Sequence, residues 1–250
     1  MEFVQLCTRE GIAQVTYSRG KVNALNEPAV EELTACFQKL AADPEVKAII
    51  LTGQGKFFSF GFDIPEFLSY SKENFTGYLI KFTNLYSYLF MYPKPVVAAL
   101  NGHTVAGGCM LALACDCRVM VSGKARISLN EITFGSSLFA GSIRMLKFVI
   151  GERDAQSVAY SGAMYTAEEA LQRGLVDQVS PENKLMEDAW EVAHRFAAKD
   201  GGAFRSIKGL LRRPASEEMK LSEERSVREF VNIWYSEGTW KNLQAIKIHS

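Results

Sequence analysis

Three short apolar runs, separated by segments with helical spacing, most constrain what this chain can fold into. They occupy residues 46–51, 96–100 and 117–121, and Lys47 and Arg118 are the charged residues within them. A continuous apolar run of this length is typical of a strand that is covered on both faces, as the strands of a parallel sheet are. The alternation of such strands with helices predicts an α/β core.

Turn-forming and capping residues predict further elements in the first half. A helix begins at Asn26 because this side chain is a good N-cap and Pro28 follows in the first turn. The other predicted elements are a β-hairpin from segments 3–7 and 12–18, an aromatic-rich helix over 67–91, and a short apolar helix over 107–114.

The chain is mostly helical from Arg144 onward. We predict a helix that is capped by Thr166 and stops at Gly174, a return strand over 174–177, and a last long helix capped by Ser216. A boundary near residue 190 then separates a sheet-based core, residues 1–190, from a helical region, residues 191–250.

The charge balance argues against two classes of partner. The 250 residues include 28 Lys and Arg and 28 Asp and Glu. This balance favours neither a nucleic acid nor a membrane surface as partner. A near-neutral surface tolerates self-association. With 48% hydrophobic residues, the chain is long enough to bury a large core.

The cysteines indicate a reducing compartment. Their number, five, is odd and no Cys-x-x-Cys pair occurs, so we expect neither a disulfide framework nor a zinc site. Cys115 and Cys117 lie in an apolar stretch and are expected to be buried thiols. Since we recognise no basic leader, no apolar run of transmembrane length and no peroxisomal tripeptide over 248–250, we expect a cytoplasmic protein.

Two glycine-bearing segments follow apolar runs and are suited to placing backbone N–H groups at one ligand oxygen. They are residues 59–64, with Gly61, and residues 106–110, with Gly107 and Gly108. N–H groups at a helix start bind anionic oxygens, and two donors aimed at one point form an oxyanion hole. Taken singly, each segment also fits a strand-to-helix turn or close helix packing.

Glu131 is the candidate base. Apolar residues flank it, and burial raises the pKa of a carboxyl toward that of a useful base. A solvated or capping glutamate is the alternative. The three histidines, His103, His194 and His249, pair with nothing in the sequence.

The sequence does not show the motifs that other common types of active site require. We find no Ser–His–Asp set, metal-ligand cluster, P-loop or dinucleotide-binding motif. A basic run is expected on a solvated helix face, with contact to a ligand phosphate as the alternative. Its residues are Arg205, Lys208, Arg212 and Arg213.

Taken in order, these segments resemble the crotonase superfamily, the enoyl-CoA hydratases and isomerases. The resemblance covers nearly the full chain. Each matching segment alone is weak evidence for the family, but six of them in the right order are strong evidence. The segments are residues 22–25, 57–64, 101–116, 131–135, 167–170 and 174–177.

The resemblance implies a ββα superhelical core with a helical C-terminal region that packs on neighbouring subunits, in a homotrimer or a dimer of trimers. It implies an acyl-CoA thioester substrate, with coenzyme A as part of the substrate, no separate cofactor and no metal. The thioester oxygen would accept hydrogen bonds from the N–H groups of Phe62 and Gly107. The remaining implied substrate contacts are Ser59, Phe60, Gly61, Asp63, Ile64, Gly108, Met110 and Asn130.

One position separates the reactions of this family. Its hydratases use two glutamates, and this chain has Met110 at the first position and Glu131 at the second. The chain therefore looks like the single-glutamate Δ3,Δ2-enoyl-CoA isomerases. In the implied mechanism, Glu131 moves a proton from C2 to C4 of a 3-enoyl-CoA. Residual hydratase activity, thioester hydrolysis and non-catalytic acyl-CoA binding stay open as alternatives.

Overall fold

The computed structural model describes residues 1–246, and a six-stranded sheet lies at its centre. The strands are β1 (Val4–Arg9), β2 (Ile12–Tyr17), β3 (Ala24–Leu25), β4 (Ala48–Gly53), β5 (Phe57–Ser59), β6 (Gly61–Phe62), β7 (Val96–Leu100), β8 (His103–Val105), β9 (Cys117–Val121), β10 (Ile127–Ser128) and β11 (Gln178–Ser180). The helices are α1 (Glu27–Ala42), α2 (Ile64–Phe67), α3 (Lys72–Phe90), α4 (Gly107–Ala114), α5 (Ala140–Ser161), α6 (Ala167–Gln172), α7 (Leu185–Ala197), α8 (Gly201–Trp234) and α9 (Glu237–Gln244), with a 3-10 turn over Glu131–Phe134.

The central sheet has the order β1-β2-β4-β7-β9-β11. β1 and β2 form the predicted antiparallel hairpin, and every other neighbouring pair is parallel. Glu10 and Gly11 close the hairpin with φ angles of 53° and 75°, as a tight two-residue turn requires. The apolar runs became β4, β7 and β9, so the predicted α/β core is confirmed.

Two smaller sheets position the segments that sequence analysis selected for chemistry. β8 lies between β10 and β5, and β3 pairs in parallel with β6. β8 leads directly into α4, while β5 and β6 lead into α2. The two glycine segments are therefore held by neighbouring short strands.

Capping signals are the local predictions that the structure confirms most closely. The Asn26 side chain accepts a hydrogen bond from the Ala29 amide at 3.2 Å and begins α1. Thr166 begins α6 with a full capping box to Glu169. The predicted helix over 67–91 begins later, at Lys72, because Ser71 caps it.

Two predicted elements are wrong. Residues 174–177 are not a strand: Leu175 donates to the Ala170 carbonyl at 2.8 Å and closes α6, and β11 begins at Gln178. Ser216 does not cap the last long helix, because α8 begins at the Asp200 cap and continues through Pro214 and Ser216 to Trp234. Packing of α8 against α3 and α5 holds the helix on both sides of the proline.

The basic run on α8 is half buried, which corrects the expected solvated face. Arg205 and Arg213 are exposed, but Lys208 and Arg212 are each only 6% exposed. Their partner is Asp116, with Nζ–Oδ2 at 2.8 Å and Nη2–Oδ1 at 3.1 Å. Arg212 also donates to carbonyls at the ends of α3 and α4, those of Phe90, Ala114 and Cys115.

Several expectations concern the chain as a whole. Cys115 is buried, whereas Cys117 is partly exposed, and no disulfide forms among residues 1–246. Within the same residues, no helix has both the length and the apolar character that a membrane crossing requires. Residue 190 lies inside α7, which packs on the central sheet, and the division of the chain there stays a prediction.

Candidate active site

The candidate site is a cavity of about 280 Å³ between the short strands and the last turn of α8. Most of its wall is apolar or aromatic, which is typical of a small-molecule site. One ionisable side chain, that of Glu131, lines it among the residues described. The lining residues are Phe60, Phe62, Ile64, Val105, Ala106, Asn130, Glu131, Thr133, Phe134, Phe230, Trp234 and Ile246.

Glu131 is a buried carboxyl at the start of the 3-10 turn. Its residue is 4% exposed, and its Oε2 atom has no hydrogen-bond partner within residues 1–246. Burial raises its pKa to about 8, although a hydrogen bond from its own backbone N–H opposes this rise. A carboxyl with this pKa is a stronger base than an ordinary carboxylate, and both its protonated and its ionised form are populated near neutral pH.

The first glycine segment comes close to the second. Gly61 has φ +92°, a conformation that strongly favours glycine, and its amide donates to Ser59 Oγ at 3.1 Å. Ser59 Oγ in turn donates to the Asn23 carbonyl at 2.7 Å. A Cβ atom placed on Gly61 would lie 3.0 Å from the Gly107 amide nitrogen, so the segments meet at that point.

The second glycine segment opens α4, which is buried along its whole length. Gly107 is the first helical residue, so its N–H has no acceptor within the helix. A Cβ atom on Gly108 would lie 2.5 Å from the Ser59 carbonyl oxygen, and one on Gly107 would lie 3.1 Å from the Phe62 ring. Close packing therefore selects both glycines, whatever their other role.

The structure brings only part of the predicted set to the cavity wall. Phe60, Phe62, Ile64, Asn130 and Glu131 line the cavity. The others are not among the lining residues: Ser59, Gly61, Asp63, Gly107, Gly108 and Met110.

Two of these residues have clear local surroundings. Asp63 caps α2 through the Glu66 amide and pairs with Arg19 at 2.6 Å. Met110 is 1% exposed within α4. The roles predicted for both in substrate binding stay predictions.

Sequence analysis missed the contribution of α8 and the C-terminal segment. Phe230 and Trp234 line the cavity, as do Thr133, Phe134 and Ile246. Phe230 and Trp234 are four residues apart on the apolar stripe of a predicted helix, a pattern that does not separate a cavity wall from a core. The Trp234 Nε1 and Asn130 Oδ1 atoms have no partner within residues 1–246.

His103 and His194 are not among the residues that line the cavity. His103 packs against Phe57, with ring centroids 5.0 Å apart, and burial lowers its pKa. His194 lies 3.4 Å from Glu10, and His249 is outside the described residues. Between residues 1 and 246, no group of three or more His, Cys, Asp or Glu side chains is arranged to hold a metal ion.

The sequence matches the family model described as enoyl-CoA hydratase/isomerase over residues 7–239. The chain belongs to this family. A putative enoyl-CoA hydratase of Thermus thermophilus is 34% identical over 220 residues, which cover 86% of this chain and 85% of the relative. Human mitochondrial enoyl-CoA delta isomerase 1 is 29% identical over 236 residues, or 94% of this chain and 78% of the relative.

Solved structures agree with this assignment. The crystal structure of human mitochondrial delta3-delta2-enoyl-CoA isomerase has a TM-score of 0.93 and 28% identity, covering 97% of this chain and 95% of that one. The resemblance to the crotonase superfamily and its fold is thus confirmed. Membership of the enoyl-CoA hydratase/isomerase family makes the protein an enzyme acting in crotonase-type chemistry, with relatives named for both reactions.

Proposed function

We propose that this member of the enoyl-CoA hydratase/isomerase family isomerises 3-enoyl-CoA to 2-enoyl-CoA with Glu131 as its one acid–base group. The observation that carries the proposal is the setting of Glu131. Its carboxyl is buried, has an unpartnered Oε2 atom, and is the one ionisable side chain on the cavity wall described. Isomerisation needs a single carboxylate, whereas water addition needs two groups to orient and deprotonate water.

The proton transfers balance without water. The Glu131 carboxylate takes a proton from C2, and the electron pair of that C–H bond delocalises through C1 onto the thioester oxygen, giving a dienolate. The protonated carboxyl then returns the proton to C4, the double bond forms between C2 and C3, and the thioester carbonyl is restored. Glu131 ends ionised, as it began.

The negative charge on the thioester oxygen requires donors, and the two glycine segments supply candidates. The N–H of Gly107 starts α4, where the helix dipole favours negative charge. The N–H of Phe62 belongs to the segment that approaches Gly107 through Gly61. Loss of one such donor costs about 10²–10³ in rate in enzymes with an oxyanion hole.

The cavity wall supports isomerisation over hydration because it is nearly all apolar. Phe60, Phe62, Phe230 and Trp234 line the same cavity as the Glu131 carboxyl. Met110 stands where the family's hydratases have their other glutamate, and it is buried. A dry cavity protects the dienolate from water.

The partners expected from the resemblance remain part of this proposal. The substrate is an acyl-CoA thioester, coenzyme A is part of it, and no metal or separate cofactor takes part in the steps above. A homotrimer or a dimer of trimers is the expected assembly.

Product analysis tests the proposed function. The wild-type protein is given trans-3-hexenoyl-CoA and, separately, trans-2-hexenoyl-CoA. We expect the conjugated thioester from the first, little 3-hydroxyacyl-CoA from the second, and no release of free coenzyme A thiol from either.

Glu131→Gln is the matched variant because it keeps the shape of the side chain and removes the base. We expect it to slow isomerisation by about 10²–10⁴. Undiminished isomerisation by the variant would overturn the role of Glu131. Hydroxyacyl product or free thiol as the main wild-type product would favour a hydratase or a thioester hydrolase. Acyl-CoA binding without any turnover would favour a non-catalytic protein.

A further inference from the structure

Ala106, at the start of α4, has a backbone conformation that residues with a side chain rarely adopt. Its φ is 50° and its ψ is −120°. The positive φ with this ψ lies outside the small left-handed region open to other residues, and only glycine adopts it without strain. A strained residue persists only where its surroundings hold it, and such residues cluster at functional sites.

Hydrogen bonds on both sides hold Ala106 in place. Its N–H donates to the Ser128 carbonyl on β10 at 2.9 Å, and its carbonyl accepts from the Met110 amide at 3.0 Å. The angle ψ of Ala106 sets the direction of the following amide, that of Gly107. Glycine at position 106 would give the Gly107 amide the same direction without strain. The methyl group of Ala106 therefore lowers stability and is not needed to orient that amide.

The methyl group lies beside the proposed oxyanion donor. Ala106 lines the cavity that contains Glu131 and is partly exposed, while Val105 and Gly107 on either side are buried. Its Cβ atom lies 2.9 Å from the point where a Cβ atom on Gly61 would stand, and the Gly107 nitrogen lies 3.0 Å from that point. The methyl carbon of Ala106 and the nitrogen of Gly107 therefore both lie within 3.0 Å of one point, at the edge of the cavity.

We propose that Ala106 is a positioning residue whose methyl group keeps water from the Gly107 N–H, so that this donor is free for the thioester oxygen. A free N–H at a helix start binds water, which a substrate oxygen must then displace. The inference rests on the proposed isomerisation and explains why the strain is retained.

The test is Ala106→Gly, which should move stability and function in opposite directions. Relief of strain should raise the Tm by about 2–4 °C. The affinity for saturated hexanoyl-CoA, measured by calorimetry, should fall by up to about tenfold because Gly107 becomes hydrated. The kcat for isomerisation should fall by about tenfold, because water then competes with the substrate oxygen for the Gly107 N–H.

The matched control is Glu10→Gly, which places glycine at another positive φ, 53°, in the turn between β1 and β2. It should raise the Tm without changing affinity or kcat. If Ala106→Gly raises the Tm but leaves affinity and kcat as in wild type, the methyl group has no such role. If it lowers the Tm, the methyl group serves packing, and the inference is equally overturned. A wild-type protein that does not isomerise 3-enoyl-CoA would instead overturn the proposed function.

Discussion

The amide nitrogen of Gly107 lies 3.0 Å from the point at which a Cβ atom on Gly61 would stand. Gly61 belongs to β6 and Gly107 to α4, and 46 residues separate them in the chain (107 − 61). Neighbouring short strands bring the two together, so the approach depends on the absence of a side chain at Gly61. Both proposed oxyanion donors adjoin this contact.

Gly61→Ala should therefore damage both stability and turnover. The new methyl group would lie 2.9 Å from Ala106 Cβ and 3.0 Å from the Val105 oxygen, at a φ of +92°. We expect a loss of about 1–3 kcal/mol in the free energy of unfolding, measured with denaturant. Displacement of Gly107 should also lower kcat by about 10² or more.

Gly20→Ala is the control for strain alone, since Gly20 has φ +57° and nothing within 4 Å of its Cβ position. It should cost about 1–2 kcal/mol and leave kcat unchanged. If Gly61→Ala were no more harmful than Gly20→Ala, the close approach of the two segments would have no functional importance.

The raised pKa of Glu131 predicts that the difference in stability between wild type and Glu131→Gln depends on pH. Between pH 4.5, its ordinary pKa, and about 8, the folded protein keeps a proton that the unfolded chain releases. The folded state then binds more protons, so the contribution of Glu131 to stability falls as pH rises through this range. The Glu131→Gln variant has no ionisable group at this position, so it does not lose stability in this way as pH rises.

The Tm of Glu131→Gln minus that of wild type should therefore increase from pH 5 to pH 8 and then level off. Glu168→Gln, at an exposed position on α6, should follow the wild-type curve. A Tm difference that stays constant with pH would contradict the burial of an ionisable carboxyl at Glu131.

The same pKa predicts the pH dependence of catalysis. Only the ionised carboxylate accepts the C2 proton, so kcat/KM for 3-enoyl-CoA should rise with pH, be half-maximal near pH 8 and level off above it. The measurement is the initial rate of conjugated thioester formation at low substrate concentration between pH 6 and 9. A rate that is flat from pH 6 upward would mean that the base ionises with an ordinary pKa.

Local patterns predicted most of the elements because their causes are local. The caps at Asn26 and Thr166 depend on residues three positions away, and the buried strands on continuous apolar runs. The continuation of α8 through Pro214 and the burial of Lys208 were not predictable in this way. The partner of Lys208 is Asp116, 92 residues earlier, and no periodicity reveals such a contact.

The buried ion pairs of α8 should be essential to its position. Arg212→Ala leaves Asp116 with one cation fewer and removes the donors to the Phe90, Ala114 and Cys115 carbonyls. We expect a loss of about 3–5 kcal/mol in the free energy of unfolding. Arg228→Ala, which breaks an exposed ion pair with Glu224, should cost less than about 1 kcal/mol. Equal effects of the two variants would show that the buried pair adds nothing.

The residues of the candidate site that have a local sequence signal were predictable. The parts of its wall that come from distant elements were not. Glu131 and the two glycine segments stand out because each departs from the residues around it. Phe230 and Trp234 look like ordinary core positions on α8, and only the packing of α8 over the site brings them to the cavity. The strain at Ala106 has no sequence signal, because the identity of a residue does not reveal its φ and ψ angles.

Isotope transfer tests the central claim, the single-carboxyl proton shuttle, most directly. Wild-type protein is given 3-enoyl-CoA with two deuterium atoms at C2, in ordinary water, and the 2-enoyl-CoA is analysed by mass spectrometry and NMR. Because Glu131 is buried in an apolar cavity, a large part of the product should keep both deuterium atoms, one at C2 and one at C4. Product with only hydrogen from water at C4 would contradict the transfer of the C2 proton by a sheltered Glu131.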